Sequence, residues 1–360
     1  MPRPIRATVS AGALAHNLLV ARAYAGRAKI WAVLKANAYG HGLERAARAL
    51  EGADGFAVLD FQEAARLRVA GVAKPILMLE GIFKRGDIPL LAKYALTPVV
   101  HNPEQVALLK AADLDGEIEA YLKVNSGMNR LGFTVESVRA AYNTLRMHRQ
   151  IRKVSLMSHF ADADGPSGVQ GQLDWLEEMV RPIEGLALAT RSLANSAALI
   201  RFPEARADWV RPGIMLYGCS PFPDQTAAQL DLKPAMTLSS ELIATQQLQE
   251  GERVGYGFAY TAAGEMTVGV VACGYADGYP RHAPSGTPVL VNGKRTRTVG
   301  RISMDMICVD VSDIPEAYIG TPVTLWGEGL PADEVAAAAG TVSYELLCAL
   351  AARVPVAEIA

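Results

Sequence analysis

The chain has 360 residues, half of them hydrophobic, and a formal net charge of −2. That supplies apolar material for a large core and two domains, and the near-neutral balance excludes a nucleic-acid footprint or a basic membrane-facing surface. No apolar run reaches the roughly 18 residues of a membrane span, and the opening MPRPIRATVS lacks the apolar segment of a secretory signal, so a cytoplasmic protein is expected. Up to about residue 230, short apolar runs alternate with Ala/Leu-rich stretches. Residues 29–34, 55–59, 75–79, 96–100, 118–124, 154–159, 191–194 and 209–211 read as strands. Amphipathic segments such as 61–70 and 103–111 lie between them. Eight such strands with intervening helices predict an α/β fold, a (β/α)8 barrel over residues 1–232. Chemistry in that fold gathers at the C-terminal ends of the strands. Lys35, Lys123 to Arg130, His159, Asn195-Ser196 and Arg211-Pro212-Gly213 all fall at or just after predicted strand ends.

From about Leu238 the texture changes to short β-branched runs at 266–271, 287–291, 296–299, 307–311 and 323–326, with Asn292-Gly293 as a hairpin signal. A helix-like segment follows over 332–353. The second unit is therefore read as a smaller, mainly β domain, 233–360, with the boundary between Pro221-Phe222-Pro223-Asp224 and Lys233-Pro234. Cys219, Cys273, Cys308 and Cys348 are far apart with no CxxC pairing, which fits reduced thiols. The six histidines form no HExxH or similar cluster, so no metal site is expected.

Lys35 is the first candidate for chemistry. It follows the apolar run 30–34, where a buried ammonium needs a partner or must lose its charge. An imine with an aldehyde cofactor achieves the second. A lysine snorkelling from a strand end is the plain alternative.

The motifs resemble one family in order along nearly the whole chain. They are AVLKANAYGHG at 32–42, YLKVNSGMNRLGF at 121–133, SHFADAD at 158–164, ANSAA at 194–198, VRPGIMLYG at 210–218, VGYGFAY at 254–260, GYADGYPR at 274–281, GRISMD at 300–305 and TVSYELLC at 341–348. Together they are similar to alanine racemase, a pyridoxal-phosphate enzyme with a barrel and a C-terminal β domain, and the snorkelling reading of Lys35 recedes.

The resemblance implies roles residue by residue. Lys35 would hold pyridoxal 5'-phosphate as an imine and, once freed, act as the base on the D-side of alanine. Tyr256 would be the base on the L-side, although a phenol has an ordinary pKa of about 10 and needs help to serve near neutrality. Arg211 would face the pyridine nitrogen and leave it unprotonated, since Arg keeps its proton to a pKa above about 12. His159 would orient Arg211. Tyr39, Ser196, Gly213, Ile214 and Tyr344 would anchor the phosphate through hydroxyls and backbone N–H groups. Arg130 would reach the cofactor's phenolic oxygen and the substrate carboxylate, with the Met304 N–H helping to hold the latter. Lys123 matches a lysine that many members carry carbamylated, where it fixes the arginine matching Arg130; Asn125 stands where an acidic residue is often found. Asp164, Tyr275, Arg281 and Arg301 match the substrate entryway. The residues matching Tyr256 and Met304 reach the neighbouring subunit's cofactor, which implies a head-to-tail homodimer with composite sites.

Four other readings compete with alanine racemisation. A decarboxylase on the same two-domain plan is disfavoured by Arg211 and Tyr256, whereas a broad-specificity amino-acid racemase is not. A cofactor carrier would lack the β domain. A hydrolase bridging metals with carbamylated Lys123 would need histidine ligands that are missing near the strand ends.

Overall fold

The computed structural model describes residues 3–360. Eight parallel strands close into a barrel: Lys29–Val33, Gly55–Val58, Ile76–Met78, Leu96–Val100, Ile118–Lys123, Ile151–Met157, Arg191–Ser192 and Trp209–Val210. Closure is direct, because Lys29 and Ile30 pair with Trp209 and Val210. Helices cover the outside while side chains fill the inside, so strands such as Gly55–Val58 and Ile76–Met78 are buried at every position. This is why they read as unbroken apolar runs and not as alternation. The interior packs around Trp31, which stacks on Trp209 at 4.1 Å between ring centroids and meets Tyr121 edge-on at 6.4 Å. Gly55 lies against the Trp31 ring, where a Cβ would overlap it.

Strand ends differ from the sequence reading in a consistent direction. The strands predicted to run to His159 and Arg211 stop at Met157 and Val210. Both site residues lie in irregular backbone just past the ladder, free to turn inward.

The second sheet is organised by Met236–Leu248, a 13-residue strand that the apolar pattern did not reveal. Its first half pairs with Arg6–Ser10 on one side and Pro322–Trp326 on the other; its second half pairs with Met266–Val271. Many of its side chains are half-exposed or exposed, most of them in its second half, hence the polar run SSELIATQQ. Arg6–Ser10 also pairs in parallel with Val356–Ile359, so both ends of the chain lie side by side. The single helix expected over 332–353 is two, Ala332–Ala339 and Ser343–Cys348. Gly340 takes a left-handed φ of +72° and returns its N–H to the Ala336 and Ala337 carbonyls, which ends the first helix. The break swings Tyr344 toward the barrel mouth.

Asn17, fully buried, locks the junction between the two units. Its amide donates to the carbonyls of Leu216 (3.1 Å) and Lys233 (2.8 Å) and accepts from the Lys233 N–H at 2.8 Å. Asn17→Ala removes three hydrogen bonds to backbone groups, one of them fully buried, and it is expected to cost about 2–4 kcal/mol of stability, read by urea unfolding. A loss inside about 0.5 kcal/mol would mean that the junction does not depend on this side chain.

Candidate active site

Leaving its strand, the chain bends sharply through Lys35–Tyr39. Ala36, Asn37, Ala38 and Tyr39 all adopt left-handed backbone, with φ of 51–55°. Such geometry costs roughly 1–2 kcal/mol per non-glycine residue, so the surroundings must enforce it. Glu63, buried, accepts from the N–H groups of Asn37 (3.2 Å) and Leu59 (3.1 Å). The Asn37 side chain accepts from the Leu43 N–H at 3.0 Å. His41, wholly buried, sets Nδ1 within 3.0 Å of the Ala38 carbonyl and 2.9 Å of the Tyr39 carbonyl. Gly40 and Gly42, at φ of +80° and +93°, complete the turn at no steric penalty.

The turn carries Lys35 and Tyr39 to one wall of a cavity of about 510 Å³ at the C-terminal face of the barrel. Lys123, Arg130, His159, Ser196, Arg211, Gly213, Ile214 and Tyr344 share its lining. Every residue assigned above to cofactor contact therefore converges on one space. Tyr39 stacks on Tyr217 at 4.5 Å. Its hydroxyl lies against Gly213, where an added Cβ would sit 2.5 Å from it. The Ser196 hydroxyl accepts from the Gly213 N–H at 2.9 Å. Backbone N–H groups and hydroxyls thus gather at one end of the cavity, a surrounding that suits an anion.

Arg211 also lines the cavity and is buried, and among the described residues no carboxylate contacts it. Nη1 donates to the carbonyl and hydroxyl of Ser192 at 2.6 and 2.8 Å. Nη2 donates to the carbonyls of Ser158 (2.6 Å) and Leu193 (3.1 Å) and to His159 Nδ1 at 3.3 Å. Among the described residues Nε has no protein partner. Because Arg211 can only donate, His159 Nδ1 must accept, which puts the imidazole proton on Nε2. Burial, and then the Arg211 charge, hold His159 neutral, well below its ordinary range. Burial brings Arg211 down to about 10, still a cation at neutral pH.

Positive charge dominates the cavity. Burial first, then Arg130, lowers Lys35. Burial, Arg211, Arg130 and Lys35 together bring Lys123 to about 8. Among the described residues Glu80 is the one carboxylate on the wall. Sequence reasoning missed Glu80, Glu63, Ser192 and Ser158. Glu80 follows a predicted strand end, which was a usable signal; the others act through backbone contacts that no local pattern announces.

The remaining predicted residues lie outside this cavity. Tyr256 is 72% exposed and Met304 52%, both on turns of the β domain. Tyr275 and Arg281 line a separate hollow with Glu345, and Arg281 shares another with Arg301. Asp164 is exposed.

Comparison with known proteins gives a consistent result. Residues 9–221 match the family described as alanine racemase, N-terminal domain, and residues 235–357 match alanine racemase, C-terminal domain. A protein named alanine racemase from Paraburkholderia phytofirmans is 54% identical over 357 residues, covering 99% of each chain. One of the same name from Nitrosospira multiformis is 54% identical over 356 residues, covering 98% of this chain and 99% of the other. Among solved structures, the biosynthetic alanine racemase of Pseudomonas aeruginosa superposes with a TM-score of 0.96 at 46% identity, covering 99% of this chain and 100% of that one. The alanine racemase of Acinetobacter baumannii gives 0.91 at 36%, with the same coverage.

The brace under the left-handed turn has a pH signature. Burial holds His41 neutral down to about 4, whereas the unfolded chain protonates its histidine near 6.5. Stability should therefore fall as pH drops from about 6.5 toward 4, by about 3 kcal/mol from this group. Denaturant unfolding at pH 7 and 5 should show a shallower decline in His41→Gln than in the parent; equal declines would remove His41 as the source.

Proposed function

The chain belongs to the alanine racemase family, isomerases that act on an amino acid, and from that premise we propose that it interconverts L- and D-alanine with pyridoxal 5'-phosphate held on Lys35. The observation that carries the reading is the convergence of Lys35, Arg211 and the Tyr39–Ser196–Gly213 cradle on one cavity. The residues fit the cofactor. A lysine with a lowered pKa suits an aldehyde. Arg211 Nε, without a protein partner, suits a ring nitrogen. The Ile214 N–H, the Gly213 backbone and the Tyr39 and Tyr344 hydroxyls suit a phosphate, and the close approach of Gly213 leaves no room for a side chain there. When bound, the cofactor supplies an aldehyde for the substrate's amino group and a conjugated ring that takes up the electron pair left by the α-proton.

The chain's own groups then move that proton. Lys35 Nζ, its charge destabilised by burial, takes or returns it on the D-face of alanine Cα. The partner's Tyr256 serves the L-face. Arg211, a permanent donor at neutral pH, leaves the ring nitrogen without a proton of its own and so limits how long the carbon stays deprotonated. His159 orients Arg211. Arg130 and the Met304 N–H hold the substrate carboxylate. The exposed Tyr256, Phe258, Tyr275, Met304 and Met306 favour a head-to-tail homodimer in which each β domain completes the other subunit's site. Asp164, Tyr275, Arg281 and Arg301 line the route in. We divide the chain near residue 232, a reading supported by the gap between the two family matches. Enantiomers have equal free energy, so supply and removal set the direction: cell-wall precursor synthesis draws D-alanine off, and catabolism drains it back. We place the protein in the cytoplasm; among the described residues no helix is long and apolar enough to cross a membrane.

Circular dichroism of L-alanine should decay to zero in the presence of protein and cofactor, and D-alanine should mirror it. Lys35→Ala should abolish both the decay and the cofactor's visible absorption. Tyr256→Ala should slow α-deuterium exchange of L-alanine more than of D-alanine, and equal slowing would defeat the two-base assignment. Turnover of serine, lysine or arginine at rates like alanine's would move the reading to a broad-specificity racemase.

Lys123, lowered to about 8, is the amine we propose to be carbamylated. Carbamate formation needs the neutral amine, so labelling with 13C-bicarbonate should rise as pH increases through about 8 and vanish in Lys123→Met. A carbamate resonance that persists in the variant would assign it to another amine.

A further inference from the structure

Asp277 is a fully buried carboxylate held by guanidinium groups from both ends of the chain. Arg3 donates to it through Nη1 and Nη2 at 2.9 and 3.2 Å, and Arg353 through Nε at 2.7 Å. The same arginines reach the next turn: Arg3 Nη2 donates to the Asp305 carbonyl at 2.8 Å and Arg353 Nη2 to the Asp305 carboxylate at 2.6 Å. Asp277 also accepts from the Gly274 N–H at 3.0 Å, which folds the Gly274–Gly278 turn on itself. That turn is joined to the other by the N–H groups of Tyr275 and Ala276, which donate to the Ser303 and Met304 carbonyls at 3.0 Å each. The approach is so close that a Cβ on Gly274 would overlap both carbonyls. The second turn then extends to the third exposed piece, because Arg301 packs under Gly257, next to Tyr256; a Cβ there would sit 3.0 Å from Arg301 Nη1.

Three surface turns bearing Tyr256, Tyr275 and Met304 thus form one plate, and among the described residues its buried ionic fastening is at Asp277. We infer that Asp277, Arg3 and Arg353 are positioning residues that act in trans, setting the plate that each subunit presents to the other's cavity. This rests on the composite-site reading above. None of the three lines the Lys35 cavity, so their loss should leave cofactor absorption unchanged while catalysis suffers from misplacement. A misplacement on the scale of 1 Å costs about 100-fold.

Mixed dimers test it. Subunits with Asp277→Asn are co-expressed with Lys35→Ala subunits under different tags, and the heterodimer is isolated. Its one intact Lys35 barrel then faces the unaltered plate of the Lys35→Ala subunit. Asp277→Asn homodimers should lose about 10–100-fold in kcat/KM with the visible absorption retained, and the heterodimer should recover roughly half the parent turnover per dimer. Tyr256→Ala paired with Lys35→Ala is the control for composite sites. Recovery in the control without recovery in the Asp277→Asn pair overturns the inference, as does an Asp277→Asn homodimer of undiminished activity. No recovery in the control defeats the composite-site reading, and the inference falls with it. If Asp277→Asn does not accumulate as folded protein, Arg3→Ala takes its place under the same criteria, since the Arg3 side chain is 39% exposed and its loss leaves Arg353 on the carboxylate.

Discussion

Everything at the mouth of the barrel depends on how the chain leaves its first barrel strand. A buried parallel strand delivers Lys35 to the rim, and within four residues Tyr39 must come back to lie against Gly213. Right-handed backbone would carry the chain onward as a helix. Four successive left-handed residues turn it under itself, at a cost on the order of several kcal/mol. Glu63, Asn37 and His41 hold that turn from three directions, and Leu347 closes over Gly40 from the other unit. The amine and the phenol end up on one wall because this strain is contained, and the second unit helps contain it.

The second organising choice is to bury a cation among carbonyls. Arg211 faces the Ser158, Ser192 and Leu193 carbonyls and a neutral imidazole, with no carboxylate in contact. A carboxylate would shed little of the desolvation cost and would compete for Nε. Carbonyls, a hydroxyl and the imidazole satisfy the two terminal nitrogens, and among the described residues Nε is left without a partner. Burial and mutual repulsion then push Lys35 and Lys123 toward neutral amines. The same packing that positions the guanidinium therefore disfavours the charged form of the neighbouring amines.

The barrel was readable because its strands are buried on both faces, and a run such as ILM or GFAV has one sensible environment. The cavity-lining residues were readable for the same reason, since they sit immediately past those runs. The second sheet was read only in part. Met236–Leu248 alternates around half-exposed positions, and Arg6–Ser10 gains its strand character from partners more than 200 positions away. The long helix was overextended because AAAAG continues an apolar periodicity that only the backbone of Gly340 interrupts. Glu63 and Ser192 escaped notice because their partners, backbone N–H groups for the one and the Arg211 guanidinium for the other, are brought near only by the closed barrel.

The position of Arg6–Ser10 bears on the order in which the protein folds. It is an inner strand between Met236–Leu248 and Val356–Ile359, both more than 200 positions away along the chain. Barrel strands pair largely with their neighbours in sequence, so the barrel can associate early, whereas the sheet beside it waits for these long-range pairings. Until they close, Arg6–Ser10 keeps unpaired backbone edges, which a bound chaperone would be well placed to shield.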